Sequence, residues 1–165
     1  MKKLFSTMLI ILLSSAGAWA DEPVATRTST QLNAQAREMV AQGVPPDAAA
    51  KMQNRFEKQH MVQARIIIQA AKKQGVPIDP VVDKALEGIA KNVPSGSIVK
   101  AMEQVRSRYE AAMAEAKKMT QVKSRQQSMT RSMVHAMSAG MPPEDVAAIA
   151  DKVRSRQRTF LTARC

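Results

Sequence analysis

The sequence predicts an all-α protein of about six helices, in which short and long helices alternate and fold back as antiparallel hairpins. Gly-Val-Pro turns recur along the chain, and between them the apolar residues repeat with a helical period. The apolar residues are mainly Met, Ala, Val, Ile and Leu, and aromatic residues make up only 3% of the chain. This composition suits closely packed helices, whereas a β-sandwich draws more on β-branched and aromatic residues.

Each turn combines a signal that ends one helix with a signal that starts the next. Gly or Asn occupies the left-handed position just after a helix, an apolar residue follows, and Pro prevents helical continuation. An acidic residue after the Pro is expected to accept hydrogen bonds from the free N–H groups of the new helix. The predicted turn and capping residues are Gly43, Asp47, Gly75, Asp79, Asn92, Gly140 and Asp145.

The turns recur at nearly regular intervals, which indicates repeated helical units. Val44 and Val93 are separated by 49 residues, and Val93 and Met141 by 48. The helices that begin near Ile98 and Val146 match at the same offset, since each continues into an Arg-Ser-Arg sequence. A fixed period of this size is typical of stacked helical pairs, so the hairpins are predicted to derive from repeats of roughly 48 residues.

The helices follow in order from these signals. The second one is long, and its apolar stripe is weakened in the middle by the polar residues around His60. The last one is expected to turn four apolar residues toward the core, namely Val146, Ile149, Val153 and Phe160. In chain order, helices are expected at about residues 29–42, 47–74, 79–92, 95 or 97 to at least 119, 129–139 and 145–162.

The fourth helix has apolar residues at alternating spacings of four and three from Ile98 to Met119. This seam resembles a coiled coil and predicts either internal packing or a homodimer. A polar stretch then interrupts the seam, and the repeat predicts a bend or break near residues 122–127. Ser124 and Gln127 would form a capping box at that break. The alternative is a single uninterrupted helix.

The first twenty residues have the pattern of a cleaved secretory signal peptide. Lys2 and Lys3 precede an apolar run, and Ala18-Trp19-Ala20 has the form of a cleavage site. An uncleaved anchor is the alternative. Residues 21–30 are predicted to be a disordered lead-in, and residues 31–165 a single helical repeat domain without a transmembrane segment. The protein is therefore expected to be secreted, most simply into a periplasm.

The chain is strongly basic, with 25 Lys and Arg against 14 Asp and Glu. This balance favours an anionic partner, and the alternative is a basic surface that is solvated and binds no partner. The few aromatic residues argue against nucleic acid, because bases need aromatic side chains for stacking. Cys165, the only cysteine, offers a second route to a homodimer through a disulfide. The predicted basic surface comprises Arg106, Arg108, Arg154, Arg156 and Arg158.

Met129, Met133 and Met137 are spaced by four residues and share one helical stripe. Thioether sulfur is a soft ligand that suits Cu(I), so the stripe is a candidate copper site. The alternative is that the stripe belongs to the core, because methionine is a flexible core residue and stripes at this spacing are usually core. His60 and His135 have no Cys or carboxylate at zinc-ligand spacing, and no other cofactor is predicted.

The sequence lacks a paired nucleophile and base and lacks a Gly-rich phosphate loop, so an enzyme is not predicted. The leading hypothesis is a non-catalytic helical binding or scaffold protein that engages a protein or an anionic envelope component. The alternative is an envelope-stress chaperone, or a copper-binding protein that uses the Met stripe. A basic, Met-containing groove or surface would be the means of binding in the leading hypothesis.

Overall fold

In a computed structural model of the chain, the described residues run from 32 to 162, with side chains up to residue 156. This range contains seven helices and no strand. The predicted all-α class is confirmed, whereas the predicted number of six helices is wrong. The helices are α1 (Ala34–Gln42), α2 (Pro46–Arg55), α3 (Lys58–Gln74), α4 (Asp79–Ala90), α5 (Ser95–Met119), α6 (Lys123–Ser138) and α7 (Pro143–Thr162).

The additional helix arises because the long second helix is broken after Arg55. Phe56 and Glu57 both have extended backbone, with ψ angles of 139° and 152°. The amide of Phe56 still donates to the carbonyl of Met52 at 2.8 Å, and its side chain is buried in the core. The helix therefore breaks where the Phe56 ring is buried in the core, at a position that has no Gly or Pro.

Four turns share a residue in the left-handed region. Gly43, Gly75 and Gly140 have φ angles of 110°, 74° and 105°, and Asn92 has a φ of 55°. In each turn the amide of the next residue donates to a carbonyl five residues earlier, which is the Schellman arrangement. These hydrogen bonds join Val44 to Met39, Val76 to Ala71, Val93 to Gly88 and Met141 to Ala136.

The acidic residues of the turns are not N-caps, contrary to the prediction. Pro45 and Ile78 hold the N-cap positions of α2 and α4, and neither makes a side-chain cap. Asp47, Asp79 and Asp145 lie inside the first turn of their helices. A Pro at the first or second helical position presets a helical φ, so each helix begins at or before its acid. The carboxylates there still interact favourably with the helix dipole.

The predicted break near residues 122–127 lies slightly earlier, between Met119 and Lys123. Thr120 has extended backbone, and its hydroxyl accepts from the amide of Val122 at 3.2 Å. The side chain of Gln126 donates to the carbonyl of Thr120 at 2.7 Å. The predicted capping box of Ser124 and Gln127 is wrong, because Val122 is the N-cap residue of α6 and has no side-chain cap.

We divide the described chain into two regions that share α5. The N-terminal body comprises α1 to α4 and α5 up to Glu110, and the C-terminal arm comprises the rest of α5 with α6 and α7. Helix α5 packs against α3 and α4 in the body and against α6 and α7 in the arm. The body contains one continuous core that runs from Leu32 to Met102, whereas the arm is centred on Ala112, Met137 and Val146.

The seam from Ile98 to Met119 faces the chain's own helices. Ile98, Met102, Ala112 and Ala116 are buried, and they lie on the helix that contacts α3, α4, α6 and α7. The internal packing that was one of the two predictions for the seam is thus present, while Val105, Tyr109 and Met119 are only partly buried. Pairing of the seam with a second chain stays a prediction. On α7, the prediction that Ile149 and Val153 face the core is wrong, because Ile149 is 52% and Val153 is 38% exposed.

Several predictions concern parts of the chain outside the described residues. These are the signal peptide at residues 1–20, the lead-in at 21–30, Cys165, and the side chains of Arg158 and Phe160. Among the described residues, no helix has the length and apolar character needed to cross a bilayer.

Candidate functional site

A groove lies where the body meets the arm. It has a volume of about 630 Å³ and is bounded by three segments that are distant in sequence. The turn between α3 and α4 forms one side, the C-terminal half of α5 forms the floor, and the first half of α6 forms the other side. The lining residues are Gly75, Pro77, Asp79 and Pro80 on the first, Tyr109, Met113 and Lys117 on the second, and Lys123, Gln126, Gln127, Thr130 and Arg131 on the third.

The α5 residues of the groove follow one another at intervals of four. Tyr109, Met113 and Lys117 therefore lie along one helical face, while the fully buried Ala112 and Ala116 lie on a neighbouring face within the arm. A Cβ atom built on Gly75 would lie 3.9 Å from the Met113 methyl carbon, which is an ordinary van der Waals distance. The left-handed turn at Gly75 thus brings the backbone close to the thioether.

Side-chain hydrogen bonds fix the start of α6. The hydroxyl of Thr130, which is buried, donates to the carbonyl of Gln126 at 2.8 Å. Gln126 in turn donates to the carbonyl of Thr120. Because these two residues are occupied by backbone contacts, the groups that α6 offers to a ligand are the exposed side chains of Lys123, Gln127 and Arg131.

The groove is cationic and its cations are uncompensated. Lys117, Lys123 and Arg131 are exposed, and none forms an ion pair with another side chain of the described residues. Asp79 is the only carboxylate in the lining. Three positive charges against one negative charge leave the groove with a surplus of two, which attracts anions. The adjacent Lys118 differs, because it forms an ion pair with Glu115.

A charged network beside the groove joins the end of α3 to α5. The guanidinium of Arg106 donates to Glu103 at 2.9 and 2.6 Å and to Glu110 at 2.9 Å, and it also donates to Gln74 at the end of α3. Gln74 donates to Glu110 at 2.8 Å. The hydrogen bonds that Arg106 donates to the carboxylates of Glu103 and then Glu110 raise the pKa of Arg106 above its ordinary value. This network positions the turn at Gly75, which follows Gln74 directly.

The predicted basic surface is not assembled as a single site. Arg106 is committed to its network, and Arg154 pairs with Asp151 at 2.6 Å on α7. Arg108 lines a separate cavity of about 280 Å³ that Tyr109 and Pro80 also border. Arg156 is exposed on α7, and none of these arginines lines the groove. The cations that the structure does bring together, Lys117, Lys123 and Arg131, were not among the predicted site residues.

The predicted Met stripe contributes to the packing of the arm. Met137 is buried with Ala112 and Val146, Met133 packs against that cluster, and Met129 is half-buried. Within the described residues, no group of three His, Cys, Asp or Glu side chains is placed to hold a metal ion. Copper binding by the three thioethers stays a prediction.

A second polar cluster joins the starts of α3 and α5. The Nδ1 atom of His60 lies 2.8 Å from the hydroxyl of the buried Ser95 and 3.6 Å from a carboxylate oxygen of Glu57. Both partners face the same ring nitrogen, so the carboxylate does not orient the imidazole through its second nitrogen as in a Ser-His-Asp triad. We therefore interpret the cluster as a structural contact between α3 and α5, made by two residues that are 35 positions apart in sequence.

Comparisons of the chain with protein-family models, with curated proteins and with solved structures find no match. The interpretation of the groove consequently rests on its own residues. Sequence periodicity alone indicates that Tyr109, Met113 and Lys117 share a helical face. It does not indicate that the turn at Gly75 and the start of α6 close around that face.

Proposed function

We propose that this protein is a non-catalytic helical binding protein of the periplasm that engages an anionic partner, either a protein or an envelope component, through the groove. The observation that supports this most is the set of three uncompensated cations, Lys117, Lys123 and Arg131, beside the apolar side chains of Tyr109 and Met113. The N-terminal sequence pattern from Lys2 to Ala20 supports export.

The grouping of three unpaired cations in one groove supports a binding role for them. In the body, cations such as Arg65 and Lys91 pair with carboxylates of the same chain, and its unpaired lysines, such as Lys73, lie outside the groove. In the groove, three cations converge without such partners, although like charges in proximity oppose folding. An anionic ligand would supply the missing counter-charge. A pocket of several hundred Å³ with apolar lining and a few charged groups is also typical of ligand sites.

We also propose that the helices pair as antiparallel hairpins and that these hairpins derive from repeats of roughly 48 residues. Its support is the recurrence of Schellman turns before Val44, Val93 and Met141 at intervals of 49 and 48 residues. The break between α5 and α6 falls close to the position that the repeat assigns to the turn at Gly75. The groove would then lie between two equivalent turns, one from each of two consecutive repeats.

The experiment is a titration of the full chain with poly-glutamate, compared with a variant that carries Lys117→Gln, Lys123→Gln and Arg131→Gln. Each exposed ion pair contributes roughly 0.5 kcal/mol, so the variant is expected to bind about tenfold more weakly. The matched control carries Lys58→Gln, Lys73→Gln and Lys100→Gln, three exposed lysines of the body that form no ion pair with described side chains. It loses the same charge and is expected to bind within about twofold of the original chain.

Two results would contradict the proposal. An equal loss of affinity for poly-glutamate in both triple variants would mean that binding depends only on the net charge of the protein. Absence of binding by the unaltered chain at low salt would remove the anionic partner altogether. Circular dichroism on each variant establishes that helix content is unchanged, which is expected because all six positions are exposed.

A further inference from the structure

We propose that the ligand of the groove is a short acidic peptide segment of a partner protein, with one aromatic or aliphatic side chain between its carboxylates. This inference rests on the proposed function and specifies its ligand. The apolar side chain would lie against Tyr109 and Met113, and the carboxylates would contact Lys117, Lys123 and Arg131.

The length of the groove matches an extended peptide. Tyr109 and Lys117 are eight residues apart on α5, which corresponds to about 12 Å along the helix axis. An extended chain covers that distance with about four residues. The apolar floor and the cationic end of the groove are therefore separated by a distance that a short peptide bridges.

The floor has the character of a binding site for one apolar side chain. Pro77 and Pro80 on one side and Tyr109 and Met113 on α5 provide its carbon surface. Methionine adapts its shape to different apolar partners and makes favourable contacts with aromatic rings. Aromatic residues and arginine also dominate the energy of many protein interfaces. One anchored side chain flanked by charged contacts is the pattern that these residues favour.

The polar groups of the groove favour a peptide over a membrane surface. Asp79 would accept a hydrogen bond from a peptide N–H, whereas it would repel a phosphate group. Gln127 offers both a donor and an acceptor, which the C=O and N–H groups of a peptide backbone satisfy. The large apolar side chains that are exposed elsewhere, such as Ile66 and Ile149, are not part of the lining, although a membrane-binding surface would present them beside its cations.

Tyr109 provides a direct reporter because it is the only tyrosine of the chain. Incorporation of 3-fluorotyrosine into the full chain gives a single ¹⁹F resonance from the floor of the groove. The probes are the peptides acetyl-Glu-Asp-Phe-Glu-Asp-amide, acetyl-Glu-Asp-Gly-Glu-Asp-amide and acetyl-Gln-Asn-Phe-Gln-Asn-amide, together with phosphatidylglycerol vesicles. The acidic Phe peptide is expected to shift the resonance saturably, and the other two peptides to bind at least about tenfold more weakly.

A pair of methionine variants tests the floor independently. Met113→Ala is expected to weaken binding of the acidic Phe peptide by about tenfold, because the anchored side chain loses part of its apolar contact. It is expected to leave binding of the acidic Gly peptide unchanged. Met129→Ala removes a half-buried methionine that is not part of the lining and is expected to change neither affinity.

Three results would overturn the inference, and they are distinguishable from failure of the proposed function. Equal affinities for the Phe and Gly peptides would show that the floor contributes nothing. Preferential binding to the vesicles would replace the peptide with a lipid surface. Binding of poly-glutamate without binding of any short peptide would retain an anionic partner and exclude this ligand. Failure of poly-glutamate and of all four probes would overturn the proposed function together with the inference.

Discussion

The N-terminal body and the C-terminal arm use the same kinds of residue to different effect. Among the residues whose side chains the structure describes, eighteen buried ones form the continuous core of the body, whereas three form the cluster of the arm. Within the same range, the largest fully buried side chains, such as Met52 and Ile98, belong to the body. Four of the five large apolar side chains that are exposed in that range belong to the arm, namely Val122, Met141, Ile149 and Val153. The body therefore provides most of the fold's stability, and the arm retains surface for contacts.

Charged contacts show the same difference. In the body, Arg65 of α3 pairs with Glu38 of α1, and Arg55 of α2 donates to Asn92 in the turn after α4. In the arm, the ion pairs among described side chains join residues three apart on one helix, as in Lys118 with Glu115. Such local pairs do not join helices to one another. The comparison indicates that the arm is held by fewer contacts and is the part that a ligand would stabilise most.

The largest expected difference concerns two buried methionines. Met52→Ala in the body is expected to lower the free energy of unfolding by about 2–5 kcal/mol, since it leaves a cavity in a continuous core. Met137→Ala in the arm is expected to lower the free energy of unfolding by an amount at or below the lower end of that range, because few buried neighbours surround its side chain. Urea denaturation of both variants measures the difference. Equal losses would contradict the distinction between body and arm.

Two glycines give a smaller expected difference. A Cβ atom at Gly88 would lie 2.6 Å from a side-chain carbon of Ile98, so α4 and α5 approach closely there. Gly88→Ala is expected to destabilise the body by about 1–3 kcal/mol through overpacking, although Ala favours helix. Gly140 in the arm has a φ of 105° and no atom within 4 Å of the same test position.

Gly140→Ala is therefore expected to cost only the backbone strain of a left-handed residue, on the order of 1–2 kcal/mol. Thermal unfolding followed by circular dichroism compares the two variants. The informative test is a second-site change, because Ile98→Ala removes the Cγ1, Cγ2 and Cδ1 atoms that the new Cβ at position 88 would meet. On the Ile98→Ala background, the additional cost of Gly88→Ala is expected to shrink, and that of Gly140→Ala is expected to stay the same. Absence of any relief would mean that the contact between α4 and α5 is not tight.

The smallest expected effect is a pH dependence in the body. Hydrogen bonds from Lys84 and then Lys91 lower the pKa of Glu87 to about 2, from a model-peptide value of 4.5. A depressed carboxyl pKa contributes stability above pH 4.5, and the contribution is lost as the pH falls from 4.5 toward 2. Glu87→Gln is thus expected to lower Tm slightly at pH 7 and to leave it unchanged at pH 2.

The effect of Glu87→Gln is small because the carboxylate is exposed to solvent and its ion pairs are screened. Asp83→Asn on the same helix is the control, since Asp83 forms no ion pair among the described side chains. A Tm difference for Glu87→Gln that persists at pH 2 would contradict a contribution from the charged pairs.

Local sequence signals predict the class of the fold and the places where helices end. Gly43, Gly75 and Gly140 adopt the left-handed conformation that their turns require. The break at Phe56 has no such signal, because burial of its ring in the core depends on contacts distant in sequence. Periodicity places Val146 and Val153 on one stripe of α7, but the position of α5 decides that the first is buried and the second exposed.

The groove is less predictable than the fold for the same reason. Lys117 and Lys123 are close in sequence, and a break between them places them on two packed helices. Their proximity to Pro77 and Pro80 depends on the packing of α4 against α5, which residue spacing alone does not reveal. The contact between His60 and Ser95 was missed for a similar reason, since it joins the starts of two separate helices.

Hydrogen–deuterium exchange of the full chain, with and without poly-glutamate, tests the central claim most directly. Without the ligand, amides in the core helices of the body are expected to exchange more slowly than those of α6 and α7, since local stability follows buried contacts. Poly-glutamate is expected to slow exchange at residues 109–117 and 123–131, where the cations of the groove lie. Protection confined to the body, or no protection anywhere, would contradict the assignment of the groove as the binding site.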